Sequence, residues 1–394
     1  AIKKIADLDI ESDRGLDIDK NILTTNVEEV ISNPEVDIVV ELIGGIHPAK
    51  EIIVGAMERG KHVVTANKAL LATEGADIFN IAEKHGVELG FEASVAGGIP
   101  IIKVIKEAIA GNRVLNVYGI MNGTANYILT KMTEESVDFS VALKEAQRLG
   151  FAEADPSFDI EGIDSAHKIT ILASLAYSIP LSYEKIFIEG IKHITPLDIS
   201  YATEFGYKIK LLSVAKYTED GIELRVHPTM LPKHYLISNV DGVYNAVFIE
   251  WDDLGSTLLY GKGAGSLPTG SAVVSDIIDI GRNIRTCSGR RVPLFGSTEL
   301  KPVKIKDIGD LFSPYYFRFS VVDKPGVLSK ISGILGENSI SIQSVIQKGR
   351  RKGEAVPLVM LTHEAKEKDV KRALKEISSL NVVLDSPTFI RVEG

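Results

Sequence analysis

Residues 146–168 read AQRLGFAEADPSFDIEGIDSAHK and lie between two apolar patterns with helical periodicity. The upstream pattern stops at Gly150, and glycine readily takes the left-handed conformation that ends a helix. Asp155-Pro156 then favours a turn or an extended piece, and a second pattern begins at Ile163. The sequence therefore predicts a helix, an acidic loop and a second helix, around which the rest of the chain is arranged.

The second helix carries an oppositely charged pair near its start. Asp164 and Lys168 stand at the i, i+4 spacing, so they should share one polar face in the first turns of the helix. Together with carboxylates on the preceding loop, they could hold a small zwitterion and move a proton. An isolated pair of this kind is more often solvated surface. The acidic loop, the Asp-Pro turn and the apolar remainder of the helix favour the functional interpretation.

Length, composition and charge limit the class of protein. A chain of 394 residues is too long for one average core and indicates two or three domains. Hydrophobic residues make up 45% and charged residues 25%, and the formal net charge of −9 argues against a nucleic-acid partner. The one cysteine, Cys287, excludes an internal disulfide and fits a reducing cytoplasm. No apolar run reaches the roughly 20 residues that cross a bilayer, so we expect a cytoplasmic protein without a membrane partner.

Strands and helices alternate over the first part of the chain. Apolar strands are predicted at residues 2–6, 36–42, 62–65 and 87–91, and helices at residues 48–58 and 69–84. This alternation indicates a parallel α/β sheet, in which ligands bind beyond the carboxyl ends of the strands. Those ends carry polar residues and glycines, namely Asp7, Gly44, Gly45, Thr65, Asn67, Lys68 and Glu92.

The glycine motif of a dinucleotide-binding unit is missing before Asp7. Such a unit begins with a strand, a G-x-G-x-x-G turn and a helix, and residues 2–6 would then be its second strand. We expect a longer natural protein, with a first strand, turn and helix of roughly 30 residues before residue 1. A sheet without its central strand would expose long unpaired edges.

The ordered run A-x3-G-F-A-x2-D-P-x2-D-I-x-G-x-D-x3-K resembles the signature of the homoserine dehydrogenase family. It is carried by Ala146, Gly150, Phe151, Asp155, Pro156, Asp159, Ile160, Gly162, Asp164 and Lys168. The resemblance extends over the whole chain, with the gap at its start. It implies an NAD(P)-dependent oxidoreductase that interconverts L-aspartate 4-semialdehyde and L-homoserine in threonine, methionine and isoleucine biosynthesis.

The resemblance also implies roles for individual residues. Lys168 is the expected acid/base that donates a proton to the developing alkoxide, and Lys68 is the second catalytic cation, near the carbonyl and the nicotinamide. Glu153 and Asp164 are expected to bind the substrate ammonium group. Further expected contacts are Thr124 and Gly123 with the substrate, and Asp7, Gly44, Thr65, Lys68, Gly150 and Gly265 with NADP or NAD.

Asp7 bears on the choice between these two cofactors. A carboxylate after the second strand hydrogen-bonds the ribose 2′-hydroxyl and repels a 2′-phosphate, which favours NAD. Arg14 follows the same strand and could turn onto a phosphate instead. The family includes both preferences, so the sequence leaves NAD and NADP open.

The segment EASVAGGIP after Phe91 is rich in small residues. Glycines here let backbone carbonyls approach a ligand closely, and the residues alone support only a tight turn. The resemblance implies a monovalent cation, usually sodium, held by the Glu92 side chain and by main-chain oxygens of Val95, Gly97 and Ile99.

The middle of the chain, residues 99–268, reads as a mixed sheet with helices on one face, and is expected to bind substrate and to form a dimer interface. Thr124 is a plausible N-cap of a helix at residues 126–131, and Asp241-Gly242 predicts a hairpin. The glycine-rich residues 260–265 precede a helix at residues 272–283. By resemblance this helix returns to the nucleotide domain, which comprises residues 1–98 and 269–286, and residues 287–313 form a linker.

Residues 314–394 read as strands and helices in the ferredoxin-like order βαββαβ. The run DKPGVLSKISGILGENSISIQSV closely resembles an ACT domain, a small amino-acid-sensing module. It implies an effector site at Asp323, Gly326, Val327 and Leu328, with threonine as the leading candidate, in a homodimer or homotetramer. Deleting the module should then leave an active enzyme that ignores threonine. The alternative is a dimerisation module without a ligand.

Two other functions compete with this enzyme. A non-catalytic ACT-bearing amino-acid sensor that has lost its dinucleotide site would explain the absent glycine motif, but not the set of Lys68, Glu153, Asp164 and Lys168. A phosphorylating semialdehyde dehydrogenase needs a cysteine nucleophile, and Cys287 lies in the predicted linker, far from every strand end.

Overall fold

The computed structural model of the protein describes residues 1–295, 299–348 and 355–394. Its helices, numbered in chain order, are α1 (Glu28–Ile31), α2 (Ala49–Glu58), α3 (Lys68–His85), α4 (Ile101–Lys103), α5 (Gly123–Glu135), α6 (Phe139–Arg148), α7 (Ser157–Ile160), α8 (Ile163–Tyr177), α9 (Pro196–Glu204), α10 (Ser266–Thr286), α11 (Val327–Glu337) and α12 (Glu367–Ser378). Its strands are β1 (Ile5–Ala6), β2 (Leu23–Thr24), β3 (Ile38–Glu41), β4 (His62–Thr65), β5 (Leu89–Gly90), β6 (Val114–Ile120), β7 (Phe187–Ile188), β8 (Tyr207–Thr218), β9 (Gly221–Pro232), β10 (Tyr244–Trp251), β11 (Gly255–Lys262), β12 (Phe312–Ser313), β13 (Tyr315–Val322), β14 (Ile342–Gln347), β15 (Ala355–Thr362), β16 (Ala365–Lys366) and β17 (Thr388–Val392).

Parallel sheets form the N-terminal part of the fold. Strands β3, β4 and β5 pair in that order, and β1 pairs with β2 in a sheet of its own. Helix α2 packs on β3 and β4, while α10 returns from much later in the chain to pack on β4 and β5. The predicted Rossmann-type parallel α/β fold is confirmed; the domain boundaries stay predictions.

Helix α3 shows why the local signals in this part worked. The Asn67 side chain caps its first turn by accepting a hydrogen bond from the Leu70 amide, and Gly86 ends it at a φ of 64°. Leu71, Ile78 and other apolar residues on one face are buried in the core. The helix therefore starts at a defined point, beside the carboxyl end of β4, and places Lys68 there.

One large mixed sheet forms most of the remaining structure, and β12 pairs with β16 in a small sheet of its own. The strands of the large sheet follow the order β11-β10-β6-β8-β9-β17-β13-β15-β14, and β7 pairs with β9 beside this path. The C-terminal elements β13, α11, β14, β15, α12 and β17 confirm the predicted βαββαβ order. Because β17 pairs in parallel with β9, the sheet of this C-terminal unit continues the sheet of the middle part. The sequence analysis did not predict that junction.

The hairpin predicted at Asp241-Gly242 is wrong. Strands β9 and β10, which flank it, do not pair; β6 and β8 lie between them in the sheet. The Asn126 side chain instead holds this connection against α5 by donating to the carbonyls of Val240, Gly242 and Tyr244. Gly242 does turn the chain at a φ of 66°, so the local signal was read correctly and the partner strand was not.

The predicted linker, residues 287–313, is packed where the structure describes it; residues 296–298 lie outside the described part. Leu294, Phe295 and Leu311 are buried, and the Phe295 ring lies 4.1 Å from the Phe79 ring. Ile305 bridges to Ile222 at the start of β9. Its apolar residues therefore fix this segment to the core.

None of the helices in the described ranges is long and apolar enough to cross a membrane. The cytoplasmic location stays a prediction.

Candidate active site

The charged pair on α8 is buried. Helix α8 packs against α3, β6 and β8, and its residues from Asp164 to Leu175 are buried on every side. The Lys168 ammonium donates to Asp164 Oδ2 at 2.7 Å and to the Met121 carbonyl at 2.6 Å. The pair therefore does not lie on a solvated surface, as an isolated pair at this spacing more often does. The charged pair of this helix instead faces the end of β6, where the Met121 carbonyl accepts a hydrogen bond from the Lys168 ammonium.

Asn122 links two carboxylates at this point. Its Nδ2 donates to Asp159 Oδ1 at 2.6 Å and to Asp164 Oδ2 at 2.9 Å, and its Oδ1 accepts from the Ala125 amide at 2.7 Å. Asn122 is thus the N-cap of α5. The prediction of Thr124 as N-cap is wrong, because the helix begins earlier, and the Thr124 hydroxyl donates to the Phe151 carbonyl at 2.6 Å.

Lys68 reaches the same carboxylate from the parallel sheet. Its Nζ lies 3.3 Å from Asp164 Oδ1 and 5.8 Å from the centre of the Phe158 ring. Each oxygen of Asp164 therefore faces one lysine. The Lys68 side chain is 34% exposed and the Lys168 side chain 9%, so one ammonium faces the opening of the site and the other its interior.

The surroundings shift the carboxyl groups in opposite directions. Burial disfavours the charged form of Asp164, but the nearby Lys168 and Lys68 ammonium groups outweigh it and hold its pKa below the usual value. Burial raises the pKa of Asp159, and the Asn122 hydrogen bond only partly offsets that rise. Burial also lowers the pKa of the adjacent His167 to about 4. A charged Asp164 therefore stands between two cations, beside a neutral imidazole.

The remaining predicted substrate residues are placed differently. Gly123 follows Asn122 at the start of α5, where an added Cβ would lie 2.8 Å from the Val243 carbonyl. Glu153 has an exposed side chain on the loop after α6, and its carbonyl accepts from Gln147. The structure thus brings together Lys68, Asp164 and Lys168, and does not bring Glu153 to them.

Sequence reasoning missed Asn122, Asp159 and Phe158 as site residues. Asp159 stood inside the opening stretch but received no role. The only available signal was an asparagine at a strand-to-helix junction, a common N-cap position.

The carboxyl ends of the parallel strands form the expected cofactor edge. Gly44 and Gly45 have φ angles of 79° and 71°, and open space lies where a Cβ of Gly44 would stand. Behind them the buried Glu41 accepts from the Thr65 hydroxyl at 2.7 Å and from the Gly44 amide at 3.1 Å. The left-handed backbone favours glycine at both positions, and the open space beside it leaves room for a dinucleotide along this edge.

Three further predicted cofactor residues lie at the ends of other elements. The Asp7 carboxylate pairs with Arg14 at 3.1 Å and both side chains are about half exposed. Gly265 precedes α10 at a φ of 108°, and Gly150 follows α6 at a φ of 76°. Asp7 and Arg14, the two groups that argue for different cofactors, are thus partners of each other.

Glu92 begins the predicted cation loop and is buried. Its two carboxylate oxygens accept from the amides of Ile102 and Lys103 at 2.8 and 3.0 Å, and burial raises its pKa to about 7. Gly97 has a φ of 53°, and an added Cβ would lie 2.5 Å from the Gly263 carbonyl. Val95 and Ile99 are buried beside it. Within the described ranges, no cluster of three or more His, Cys, Asp or Glu side chains could hold a metal ion.

An open cleft lies away from the Asp164–Lys168 pair. It holds about 560 Å³, solvent space included, between β5, α10 and the segment after α4. Lys103, Asp276 and Arg291 line it and pair with one another or with Asp279. Lys68, Asp164 and Lys168 do not line this cleft, so shape alone does not locate the chemistry.

The predicted effector residues surround the start of α11. Gly326 precedes the helix at a φ of 87°, Val327 is buried, and the Leu328 side chain is exposed. Asp323 lies in the turn that leads to them.

Comparison with known proteins matches three family models along the chain. Residues 1–92 match the NAD-binding domain of homoserine dehydrogenase, residues 100–278 match homoserine dehydrogenase, and residues 315–381 match the ACT domain. The fold, the Asp164–Lys168 pair and these matches define an NAD(P)-dependent oxidoreductase with a C-terminal ACT domain.

Individual relatives give the family. Homoserine dehydrogenase of Neisseria gonorrhoeae is 48% identical over 368 residues, which cover 93% of this chain and 85% of that protein. That of Bacillus subtilis is 40% identical and covers 100% of this chain and 90% of the relative. The crystal structure of a homoserine dehydrogenase from Thiobacillus denitrificans matches with a TM-score of 0.90 and 49% identity, over 94% of this chain and 85% of that one. The chain belongs to the homoserine dehydrogenase family, and the non-catalytic sensor finds no support in these comparisons.

Proposed function

We propose that the protein interconverts L-aspartate 4-semialdehyde and L-homoserine through Lys168, Lys68 and Asp164. The observation that carries this proposal is the shared carboxylate: two lysines from different parts of the fold meet one buried aspartate. When NAD(P) is bound, it supplies or accepts the hydride. The side chains of the site bind and orient the substrate and move the proton.

Lys168 is the proposed acid/base. A lysine ammonium has three hydrogens; Asp164 and the Met121 carbonyl accept two of them, which leaves one for the substrate oxygen. In the reducing direction this third hydrogen neutralises the developing alkoxide, and in the oxidising direction the amine removes the hydroxyl proton. Lys68 adds a second positive charge, which stabilises negative charge on the same oxygen.

The substrate ammonium group needs a carboxylate ligand. Glu153 and Asp164 remain the predicted ligands. We add Asp159, because its Oδ1 accepts a hydrogen bond from Asn122, next to the Asp164–Lys168 pair. Glu153 would have to turn inward from its exposed position. Thr124 and Gly123 at the start of α5 would contact the carboxylate end of the substrate.

NAD and NADP both remain candidates, and the Asp7–Arg14 pair is the proposed selector. A free Asp7 would hold a ribose 2′-hydroxyl, whereas Arg14 released from Asp7 would hold a 2′-phosphate.

The loop after β5 is the proposed sodium site. It offers the Glu92 carboxylate and the carbonyls of Val95, Gly97 and Ile99, and carboxylate and carbonyl oxygens suit hard cations. Replacing sodium by choline in the assay should lower activity, and equal rates in the two salts would argue against the site.

The ACT unit is the proposed regulatory module, with threonine as its effector at Asp323, Gly326, Val327 and Leu328. Helix starts offer unpaired amides to a carboxylate, which supports this position. We also propose a homodimer or homotetramer, because β11 and β14 end the described sheet with one paired side each. Light scattering of the purified protein tests the oligomer, and calorimetry with threonine tests the effector.

The decisive experiment is the assay of homoserine-dependent NAD(P) reduction, followed by absorbance. Activity in the wild type and its loss in Lys168→Met would support the assignment. A folded wild type that binds amino acids without turnover would favour the sensor.

A further inference from the structure

Strands β7 and β17 lie end to end along one edge of β9. Strand β8 occupies the other edge over the whole length of β9. On the shared edge, β7 pairs in parallel with Arg225 and Val226, and β17 pairs in parallel with Thr229 and Met230. The last strand of the ACT unit (residues 314–394) therefore begins to pair with β9 beyond the end of a short strand of the middle part of the chain (residues 99–268, here the catalytic part). The two strands are far apart in sequence.

Arg391 of β17 connects these two strands. Its side chain is 2% exposed and donates to both oxygens of Glu367 at 2.7 and 2.6 Å, within the ACT unit. Its third contact, from Nη1, is Glu189 Oε2 at 2.7 Å, in the catalytic part. The rings of Phe187 and Phe389 cover the guanidinium at 4.8 and 5.2 Å. Burial, the three hydrogen bonds and the two rings hold the Arg391 guanidinium in a single orientation.

Glu189 and the two residues after it connect Arg391 to α7 through backbone contacts. The Glu189 amide donates to the Val226 carbonyl at 2.8 Å, and the Ile191 amide donates to the Ile160 carbonyl at 2.9 Å. Between them, Gly190 packs so tightly that an added Cβ would lie 2.5 Å from the Ile160 carbonyl. Any shift of Glu189 therefore displaces the end of α7.

Helix α7 carries Asp159 immediately before Ile160. Asp159 accepts from Asn122, and Asn122 also donates to Asp164, the carboxylate between the two lysines. The contacts thus run without a gap from the ACT unit to the Asp164–Lys168 pair.

We propose that Glu189 is a positioning residue, held by Arg391 of the ACT unit, that sets the place of Asp159 in the active site. It touches no substrate and acts through Ile160 and Asp159. The inference rests on the proposed function insofar as its kinetic test uses homoserine oxidation. It assigns the ACT unit a structural role in the site that needs no effector.

The kinetic test is a double-mutant cycle in the full chain with Glu189→Gln and Asp159→Asn. Glu189→Gln keeps the side-chain shape and leaves Arg391 bound to Glu367, so the protein should fold. We expect about a tenfold fall in kcat/KM for homoserine, with most of the change in KM and the KM of the cofactor unaltered. In the double variant Glu189→Gln should add nothing to Asp159→Asn, whereas the product of the two separate effects would overturn the proposal.

The matched control is Lys216→Gln. Lys216 pairs with Glu393 next to β17, so the control also removes an ion pair between the ACT unit and the catalytic part. Within the described residues, its side-chain hydrogen bond and ion pair are to Glu393 and not to α7, so the control should leave kcat/KM unchanged. An equal loss in the control would show that the ACT unit only stabilises the fold, and would overturn the positioning role.

Hydrogen exchange gives a result that does not depend on turnover. The Ile191 amide and the amides of residues 160–162 should exchange faster in Glu189→Gln and at the wild-type rate in Lys216→Gln. Unchanged exchange in Glu189→Gln would refute the connection even if the protein has no homoserine activity. Faster exchange with an additive kinetic cycle would refute the positioning of Asp159, while the proposed function would stand.

Discussion

Lys168→Met tests the acid/base role and the burial of the pair in one variant. Methionine keeps the length and the apolar stem of lysine, so it should leave no cavity. It removes the ammonium that lies 2.7 Å from Asp164 Oδ2. Loss of a general acid should lower turnover by about 100-fold or more.

The stability effect follows from what remains around Asp164. Removing one partner of a buried ion pair typically costs about 3–5 kcal/mol. Here Lys68 stays 3.3 Å from Oδ1 and Asn122 stays 2.9 Å from Oδ2, so the carboxylate keeps a positive and a polar partner. We therefore expect a smaller loss of about 2 kcal/mol in the free energy of unfolding.

Two measurements check this prediction. Urea unfolding can be followed by the fluorescence of the one tryptophan, Trp251, which is buried in β10. Turnover is measured under conditions where the variant is fully folded. Lys131→Met is the control, because Lys131 also pairs with two carboxylates, Glu135 and Glu145, but lies away from the site. Near-normal turnover in folded Lys168→Met, or equal loss in the control, would refute the assignment.

Four further predictions address the substrate, the cofactor, pH and the ACT unit. Asp164→Asn should lower kcat/KM for homoserine by about 10- to 100-fold, the equivalent of one charge-assisted contact, while fluorescence titration shows unchanged cofactor affinity. Asp7→Ser should raise the ratio of kcat/KM for NADPH over NADH, because it removes a repulsive carboxylate and releases Arg14; an unchanged ratio in steady-state kinetics would remove Asp7 as selector. His167 has a pKa of about 4 in the folded protein and 6.5 in the unfolded chain. Between these two values the unfolded chain binds the extra proton, so stability falls as the pH drops from 6.5 to 4. At pH 5, urea unfolding should show a loss of about 2 kcal/mol in the free energy of unfolding, and His167→Gln should abolish that loss. Deleting residues 314–394 removes β17 from the edge of β9, so the truncated protein should unfold well below the wild-type temperature. The sequence alone predicted an active, threonine-insensitive enzyme instead. A stable and active truncation would contradict the expected stabilising role of the continuous sheet.

Elements that depend on their own residues could be predicted from the sequence. Strand β4 has the predicted bounds, because a short apolar run between turn signals defines it. The pairing of Asp164 with Lys168 also followed from helical spacing alone. These predictions needed no knowledge of any distant residue.

Contacts between distant residues could not be predicted in this way. Asn122 and Asp159 are 37 positions apart, and neither has a pattern that names the other. The turn at Gly242 was visible, but the partner of β10 depends on the whole sheet. The burial of Lys168 could not be predicted, because a polar helix face looks the same in sequence whether it meets water or the end of a strand.

The shared carboxylate explains why the site spans two parts of the fold. Lys68 begins a helix of the parallel sheet, whereas Lys168 belongs to a helix packed on the mixed sheet. Asp164 binds both, so the negative charge that neutralises the proton donor also fixes the distance between these parts. A cofactor at the strand ends and a substrate at Asn122 would be brought together by the same contact. With Lys168 as the proposed proton donor, movement between the two parts would alter both the ion pair at the donor and the separation of the reactants. In the proposed mechanism, Asp164 would therefore couple proton transfer to the geometry of hydride transfer.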